Sequence, residues 1–322
     1  MLKTARKRSI VTSGLLLGLV FVCGGATCAP RRPSFEFPPP PVALTTTPDL
    51  AQVVAAVNRT SAIRELSTNT ASIEVISMPG TPKLSSSSLS LRRDRDFRLR
   101  AGLPIVLTPV LDMGSNQEVF WFEVPEGIRK VLYFARHDQY RQQLDRAILP
   151  VDPSWVMDAV GLVQIDPNTV VAGPVMRPDG KLEIRNTIAM PTGVFQRVCY
   201  IDAAAGHVTD QFLFAPSGVE IARSNASDHE FFPAQQCSLP HTVQLKLTPA
   251  VGPPLEMKID VGTYTVNQLL SGDPNLFVMP QTAGAAVDLT TLSPGNGIPV
   301  APVGYQPSGE LGPLPYRGTV AP

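Results

Sequence analysis

Two cysteines near the start of the chain carry the most chemistry that residue type and spacing offer. Cys23 and Cys28 lie behind an apolar stretch, Ile10 to Val22, which follows Lys3, Arg6, Lys7 and Arg8. A basic start, a short apolar run and small residues make a secretory signal. The run is short of the ~20 residues that a membrane-spanning helix needs. A thiol directly behind such a signal is a candidate for thioether attachment of diacylglycerol. Cleavage requires small side chains beside the scissile bond. Cys28 follows Gly25-Ala26-Thr27, whereas Cys23 follows the bulkier Val20-Phe21-Val22. Cys28 is therefore the first candidate for lipidation, Cys23 the second, and residues 1–27 the signal peptide. Acyl chains contribute about 0.8 kcal/mol per buried methylene, so one chain anchors weakly and several on one cysteine hold durably. Ala29 follows Cys28 and Gly24 follows Cys23. Neither is the Asp that retains many lipoproteins at the inner membrane, so the expected location is an exported, lipid-anchored protein on the outer membrane, facing the periplasm.

The remaining candidate groups form no catalytic or metal constellation. Cys199 and Cys237 could close a disulfide loop of about 40 residues, worth about 4 kcal/mol in the chain-entropy model. They could equally be two independent thiols. His137, His207, His229 and His241 show no i, i+4 pair and no His-Glu-x-x-His motif. Asp228-His229-Glu230 reads as a solvated loop, because a metal site needs three or four convergent ligands. Gly-x-Ser-x-Gly, Gly-x-Gly-x-x-Gly and P-loop sequences are absent. These observations predict no enzyme, no cofactor and no metal. The 27 Lys+Arg balance 27 Asp+Glu. A nucleic-acid binder needs surplus cations to displace counterions, so that class is set aside. Oligomeric state is not readable.

The elements that must position any site are mostly strands. The hydrophobic share is 43%, enough to build a core, and 33 prolines point away from a helical bundle. Residues 28–47, with Pro38 to Pro41 consecutive, predict an extended tether reaching roughly 60 Å. A folded domain over 48–282 follows. Thr47-Pro48-Asp49 starts a helix expected over 49–66, with Leu50, Val53, Val54, Val57, Ile63 and Leu66 on one face. Strands are expected over 72–78, 88–92, 97–101, 118–124, 130–135, 170–176, 182–188, 194–201, 207–214, 219–223, 242–247, 255–260 and 262–266. Pro178-Asp179-Gly180, Ala205-Gly206 and Pro216-Ser217-Gly218 are turn signals that imply antiparallel neighbours. A second helix begins at Asp152-Pro153, with Trp155, Val156, Ala159, Val160 and Val163 on one face. The fold class is mainly β (α+β): one large curved antiparallel sheet, or unclosed barrel, with a few helices over its mouth. Residues 283–322 hold seven Pro, seven Gly and three charges, which predicts a disordered tail.

Three segments stand out within the domain. In Glu118-Val119-Phe120-Trp121-Phe122 consecutive side chains point to opposite faces, so both faces are apolar. Either the strand is covered twice, or one face lines a cavity. The run Arg92 to Arg100 carries five Arg and two Asp. It reads as a protective strand edge, a contact for anionic headgroups, or a polar latch. Gly102 to Leu111 is almost wholly apolar, with Pro104 and Pro109 opposing a regular strand. Leu103, Ile105, Leu107 and Leu111 would either pack on the core or form a flap at a cavity mouth or membrane surface.

In order and motif the chain resembles the LolA/LolB-like lipoprotein-localisation superfamily. Leu91-Arg92-Arg93 followed by Asp96-Phe97-Arg98 is similar to its basic-Arg-Pro-x-x-Phe-Arg element. Phe120-Trp121-Phe122 followed by Val124-Pro125 is similar to its Trp-aromatic-x-x-Pro strand, and Leu276 to Pro280 to its closing Phe-x-x-Pro element. Asp94 stands where the family often has Pro, the domain is longer, and the tail is extra. The resemblance implies an unclosed barrel of about eleven strands with helices plugging its mouth. It also implies an apolar cavity for lipid or lipoprotein acyl chains, with Phe97, Phe120, Trp121, Phe122, Phe134 and Trp155 as lining and Arg93 as latch. The alternative is a structural or interaction lipoprotein that kept the fold and lost the cargo.

Overall fold

The computed structural model describes residues 37–77, 80–104, 109–126, 129–144, 154–249, 253–281 and 285–292. Cys23, Cys28, Ile105 and Leu107 lie outside them. Asp49 caps the first helix, α1 (Leu50–Val57), by accepting from the Gln52 amide at 2.8 Å, while the Gln52 side chain accepts from the Asp49 amide at 3.0 Å. This reciprocal box satisfies two of the donors that a helix start leaves free. Val53, Val54 and Val57 form the buried face.

The helix does not run to residue 66 as expected. It tightens into a 3₁₀ turn over Asn58–Ala62, and strand β1 begins at Glu65. Asn58, Thr60 and Ser61 compete for backbone partners. The Asn58 amide group bonds both the carbonyl and the N–H of Ile165 at 2.8 Å, and the Thr60 hydroxyl donates to the Val163 carbonyl at 2.7 Å. Ile63 and Leu66 are buried beyond the helix rather than along it.

The strands are β1 (Glu65–Val75), β2 (Leu84–Arg92), β3 (Asp96–Gly102), β4 (Leu111–Ser115), β5 (Val119–Glu126), β6 (Arg129–Arg136), β7 (Val170–Met176), β8 (Lys181–Met190), β9 (Gly193–Asp202), β10 (Val208–Phe214), β11 (Glu220–Phe232), β12 (Cys237–Leu247), β13 (Leu255–Val261), β14 (Thr265–Val266) and β15 (Ala285–Asp288). They form one 15-stranded sheet in the order β15-β6-β5-β4-β3-β2-β1-β13-β12-β11-β10-β9-β8-β7, with β14 beside β1. All pairs are antiparallel except β15 with β6. β15 and β7 are unpaired edges, so the sheet is unclosed, and three short helices accompany it: α1, α2 (His137–Tyr140) and α3 (Ser154–Met157). The predicted turns form with Gly180 at φ +80° and Gly218 at φ +84°, where a Cβ would be strained. No helix among the described residues is long and apolar enough to cross a membrane.

Several expectations are corrected. β4 was not anticipated, because Leu-Asp-Met-Gly-Ser has no clean alternation. β11 runs on to Phe232 and contains Asp228-His229-Glu230, which is therefore no loop; Asp228 has φ +56° without a break in the register. β15 and the buried Leu289 belong to the fold although they lie past residue 282.

Three apolar clusters result. The main one fills the concave interior, with Phe97, Phe120, Phe122, Tyr133, Trp155, Val160 and Leu239 among its members. A second packs Val53, Val54 and Val57 of α1 on Ile184, Cys199 and Ile201. A third joins Val119, Trp121 and Leu132 with Phe134, Met279 and Ala286.

Candidate functional site

The interior side chains come from the alternation of β5 and β6. Phe120 meets Tyr140 edge-on at 4.8 Å between centroids, and Phe122 stacks on its cross-strand partner Tyr133 at 5.0 Å. Phe97 and Trp155 join the same cluster. Trp121 points the opposite way, paired across the ladder with Phe134. Trp121 and Phe134 therefore do not line the interior with the other four. The strand is covered on both faces, as one of the two sequence readings had it.

Above the interior lies the segment 154–165: α3, a wider turn over Asp158–Leu162 and the residues to Ile165. Trp155, Met157, Ala159, Val160 and Leu162 are buried beneath it. Polar side chains of the sheet hold it. Arg93, in the turn between β2 and β3, donates through Nε to the Ile63 carbonyl at 2.9 Å. Its Nη2 donates to the Thr60 and Leu162 carbonyls at 3.0 and 3.2 Å. One guanidinium thus caps two helical turns from different parts of the chain. Burial pulls its pKa below the ordinary arginine value, against the pull of Asp158. From the other half of the sheet, Arg197 pairs with Asp158 at 2.8 Å and donates to the Gln164 carbonyl at 3.0 Å. Gln211 donates to the Asp158 carbonyl at 3.1 Å. Only Arg93 of these was singled out by sequence. Arg197 and Gln211 sit on strands whose partner segment is too distant in sequence to infer.

Leu103 and Leu111, with Val110, are half-buried against the main cluster. The segment is tied to β6 where Lys130 donates to the Pro109 carbonyl at 2.7 Å. Cys199 and Cys237 are free thiols in different clusters, so the disulfide that the sequence allowed does not form. Burial raises both pKa values, that of Cys237 to about 11. They are protonated and unreactive at neutral pH.

Sequence reasoning missed a second construction, on the convex face. Arg98 and Asp112 form a bidentate pair at 2.8 and 2.6 Å, each side chain less than a tenth exposed. Arg98 also donates through Nη1 to the Leu276 and Val278 carbonyls at 3.1 and 3.0 Å. Asn116 donates to the Phe277 carbonyl at 3.1 Å, and the Arg92 guanidinium lies 4.8 Å from the Phe277 ring centroid. Residues 276–279 are thus strapped across Trp121. Gly114 faces Trp121 in the ladder, and a Cβ there would fall inside the indole.

One pocket lies between the entry segment, α1 and β11, lined by Pro41, Ala43, His207, His229, Phe231 and Cys237 among others. Its interior admits about one water molecule. His207 and His229 stack there with centroids 3.9 Å apart. No group of three or more metal-ligating side chains occurs among the described residues.

No family model matches the chain, and no curated protein matches it by sequence. Three solved structures are similar in shape. One is a Vibrio parahaemolyticus domain described as an outer membrane lipoprotein-sorting protein, with TM-score 0.46 and 8% identity, over 68% of this chain and 94% of that one. Another is a DUF1329 family protein from Desulfovibrio piger, with TM-score 0.44 and 11% identity, over 70% and 94%. The third is a LolA superfamily protein from Nitrosomonas europaea, with TM-score 0.37 and 7% identity, over 70% and 96%. Each of these likenesses is one of shape. The sheet here has more strands than the eleven expected, and its interior face is filled by the chain's own aromatic side chains.

Proposed function

We propose that the protein is a non-enzymatic, lipid-anchored envelope protein. In this reading its half-barrel takes up lipid or lipoprotein acyl chains when the segment 154–165 moves aside. The observation that carries it is how that segment is held. Its underside is apolar, and the described polar ties are hydrogen bonds and one ion pair, from Arg93, Arg197 and Gln211 of the sheet and its turns and from Asn58 and Thr60 of the 3₁₀ turn. Neutral bonds of this kind contribute about 0.5–1.5 kcal/mol each and those from charged groups about 1.5–3, and water can take their place. The apolar surface beneath is what an acyl chain would replace. Burying a 16-carbon chain contributes about 10 kcal/mol before ordering costs. Arg93 is the latch in this reading, and the apolar segment 103–111 acts at the mouth. A lipid on Cys28, or on Cys23 as second choice, and the 28–47 tether hold the domain at the outer membrane, with transfer in lipoprotein sorting as its task. A second reading is favoured by the filled interior: Phe120, Phe122 and Trp155 occupy the space already, as in a structural lipoprotein without cargo.

Native mass spectrometry of membrane-extracted protein separates the two. Acylated Cys28 together with a bound acyl species is expected, with higher occupancy in Arg93→Leu. Folded wild type and Arg93→Leu that both lack bound acyl species would select the structural reading. Retention of Cys28→Ser in membranes, with release of Cys23→Ser, would move the anchor to Cys23.

A further inference from the structure

The two ends of the sheet differ in chemistry, and neither the interior nor the segment above it explains why. Eleven short connections join sheet neighbours. The registers place six of them at one end: 76–83, 103–110, 127–128, 191–192, 215–219 and 248–254. By sequence these hold 32 residues and one charge, Lys83, whose ammonium is paired with Asp260 at 2.7 Å. The five connections at the other end, 93–95, 116–118, 177–180, 203–207 and 233–236, hold 19 residues and six charges. A random scatter of surface charge does not sort itself by strand polarity.

At the uncharged end aliphatic side chains reach solvent. Val194 is 59% exposed, Val219 58% and Ile76 42%. Met190 and Ala215 stand half-buried behind them, against the main cluster. The β8–β9 and β10–β11 turns touch: a Cβ on Gly193 would lie 2.7 Å from Pro216 Cγ. Val194, Pro216 and Val219 therefore form one continuous apolar tip.

We propose that the β8–β9 and β10–β11 turns at this end, with Val194, Pro216 and Val219 at their tip, are a contact with a lipid surface. Backbone satisfaction supports it. The Ala215 amide donates to the Val219 carbonyl at 2.9 Å and the Gly218 amide to the Ala215 carbonyl at 2.8 Å. Two of the turn's amides and two of its carbonyls are thus already paired within it, which lowers the cost of entering an apolar layer. Composition separates lipid from protein as the occupant. Protein interfaces draw their energy from Trp, Tyr and Arg set in pockets. These two turns have none of the three, and they present knobs rather than a groove or an unpaired strand. Aliphatic and proline knobs on charge-free turns, with the nearest charge, Glu220, paired to Arg223 at 3.7 Å, suit a fluid that closes around them. The inference depends neither on the acyl anchor nor on an interior cavity.

The test uses the full chain with Cys23→Ser and Cys28→Ser, which removes acylation. Val194→Cys, Val219→Cys and, at the charged end, Asp179→Cys each receive a nitrobenzoxadiazole label; the native Cys199 and Cys237 are buried. On vesicles of phosphatidylethanolamine and phosphatidylglycerol, emission should shift to the blue at 194 and 219 and stay fixed at 179. Adding Val219→Glu should reduce the shifted fraction at 194 by about tenfold. No shift at 194 and 219, or an equal shift at 179, would overturn the proposal. So would a shift that needs no vesicles and grows with protein concentration, which would identify a second copy of the chain as the occupant.

Discussion

Arg98 shows how a buried charge is tolerated here. Its Nε and Nη2 go to Asp112 and its Nη1 to two carbonyls, so the described contacts engage three of its nitrogens. A desolvated ion pair with this geometry is not in itself a large source of stability, but removing one partner strands a charge, at a cost of about 3–5 kcal/mol. Asp112→Asn is expected to lose stability of that order in urea titration. It should also loosen residues 276–279, uncovering Trp121 to iodide quenching. Arg98→Met with Asp112→Leu should recover most of the loss without restoring the strap, because the carbonyls of Leu276 and Val278 lose their donor. A double variant as unstable as the single one would show that the strap, not the pair, carries the energy. Gly114 makes the companion point: it is a glycine because the Trp121 ring takes the space above it.

The elements divide according to how local their cause is. The start of α1 was readable from its cap and its valines; β7 spans the residues expected, although Ala172-Gly173-Pro174 interrupts its β-formers. β4 was not readable. It is held by Arg98–Gly114 and Leu99–Met113 pairing with β3 and by Trp121 of β5, all supplied from outside its own five residues. The extension of β11 through polar Ser224 to Glu230 likewise comes from its partner β12, not from its own pattern. The strap and the ties of 154–165 were invisible for the same reason, since their partners lie 33 to 180 residues away in sequence. Within that segment Gly161 has φ +98°, and a Cβ there would meet Pro240 Cδ at 2.6 Å. Gly161→Ala is therefore expected to cost about 1–3 kcal/mol from backbone strain alone. If the segment is the mobile part, the loss should appear as local exposure of Trp155 and faster amide exchange over 154–165, with the sheet's protection unchanged. Uniform loss of protection would make the segment an integral part of the core.

At the scale of the whole molecule, the entry segment from Phe37 to Leu44 packs over a patch of buried histidines. The Ala43 and Leu44 amides donate to the Ala204 carbonyl at 2.7 and 3.0 Å, and Phe37 stacks on His241 at 4.2 Å. Beneath this entry segment lie His207 and His229. Burial, then the neighbouring His207, with lesser pushes from His241 and Lys181, lowers the pKa of His229 to about 3 from its ordinary 6.5; the Val208 backbone opposes the shift. Burial and Lys181 lower that of His207 as well, against Asp202. Both rings are neutral in the fold at neutral pH. When folding depresses a histidine pKa, the unfolded chain takes up the proton first, so stability is complete above about pH 6.5 and drains away towards pH 3. At about 1.4 kcal/mol per pH unit the share of His229 is of the order of a few kcal/mol at the acid end of that window. Urea midpoints measured between pH 7 and pH 4 should fall for the wild type and fall less for His229→Phe, which keeps the stack and removes the proton acceptor. Equal slopes for the two proteins would place the acid sensitivity elsewhere, in paired carboxylates such as Asp210 and Asp260, whose pKa values are held down by their lysine partners despite burial. The unequal slopes expected here would locate the acid-linked loss of stability beneath the entry segment, at the charged end of the sheet, because His229 there takes its proton only on unfolding.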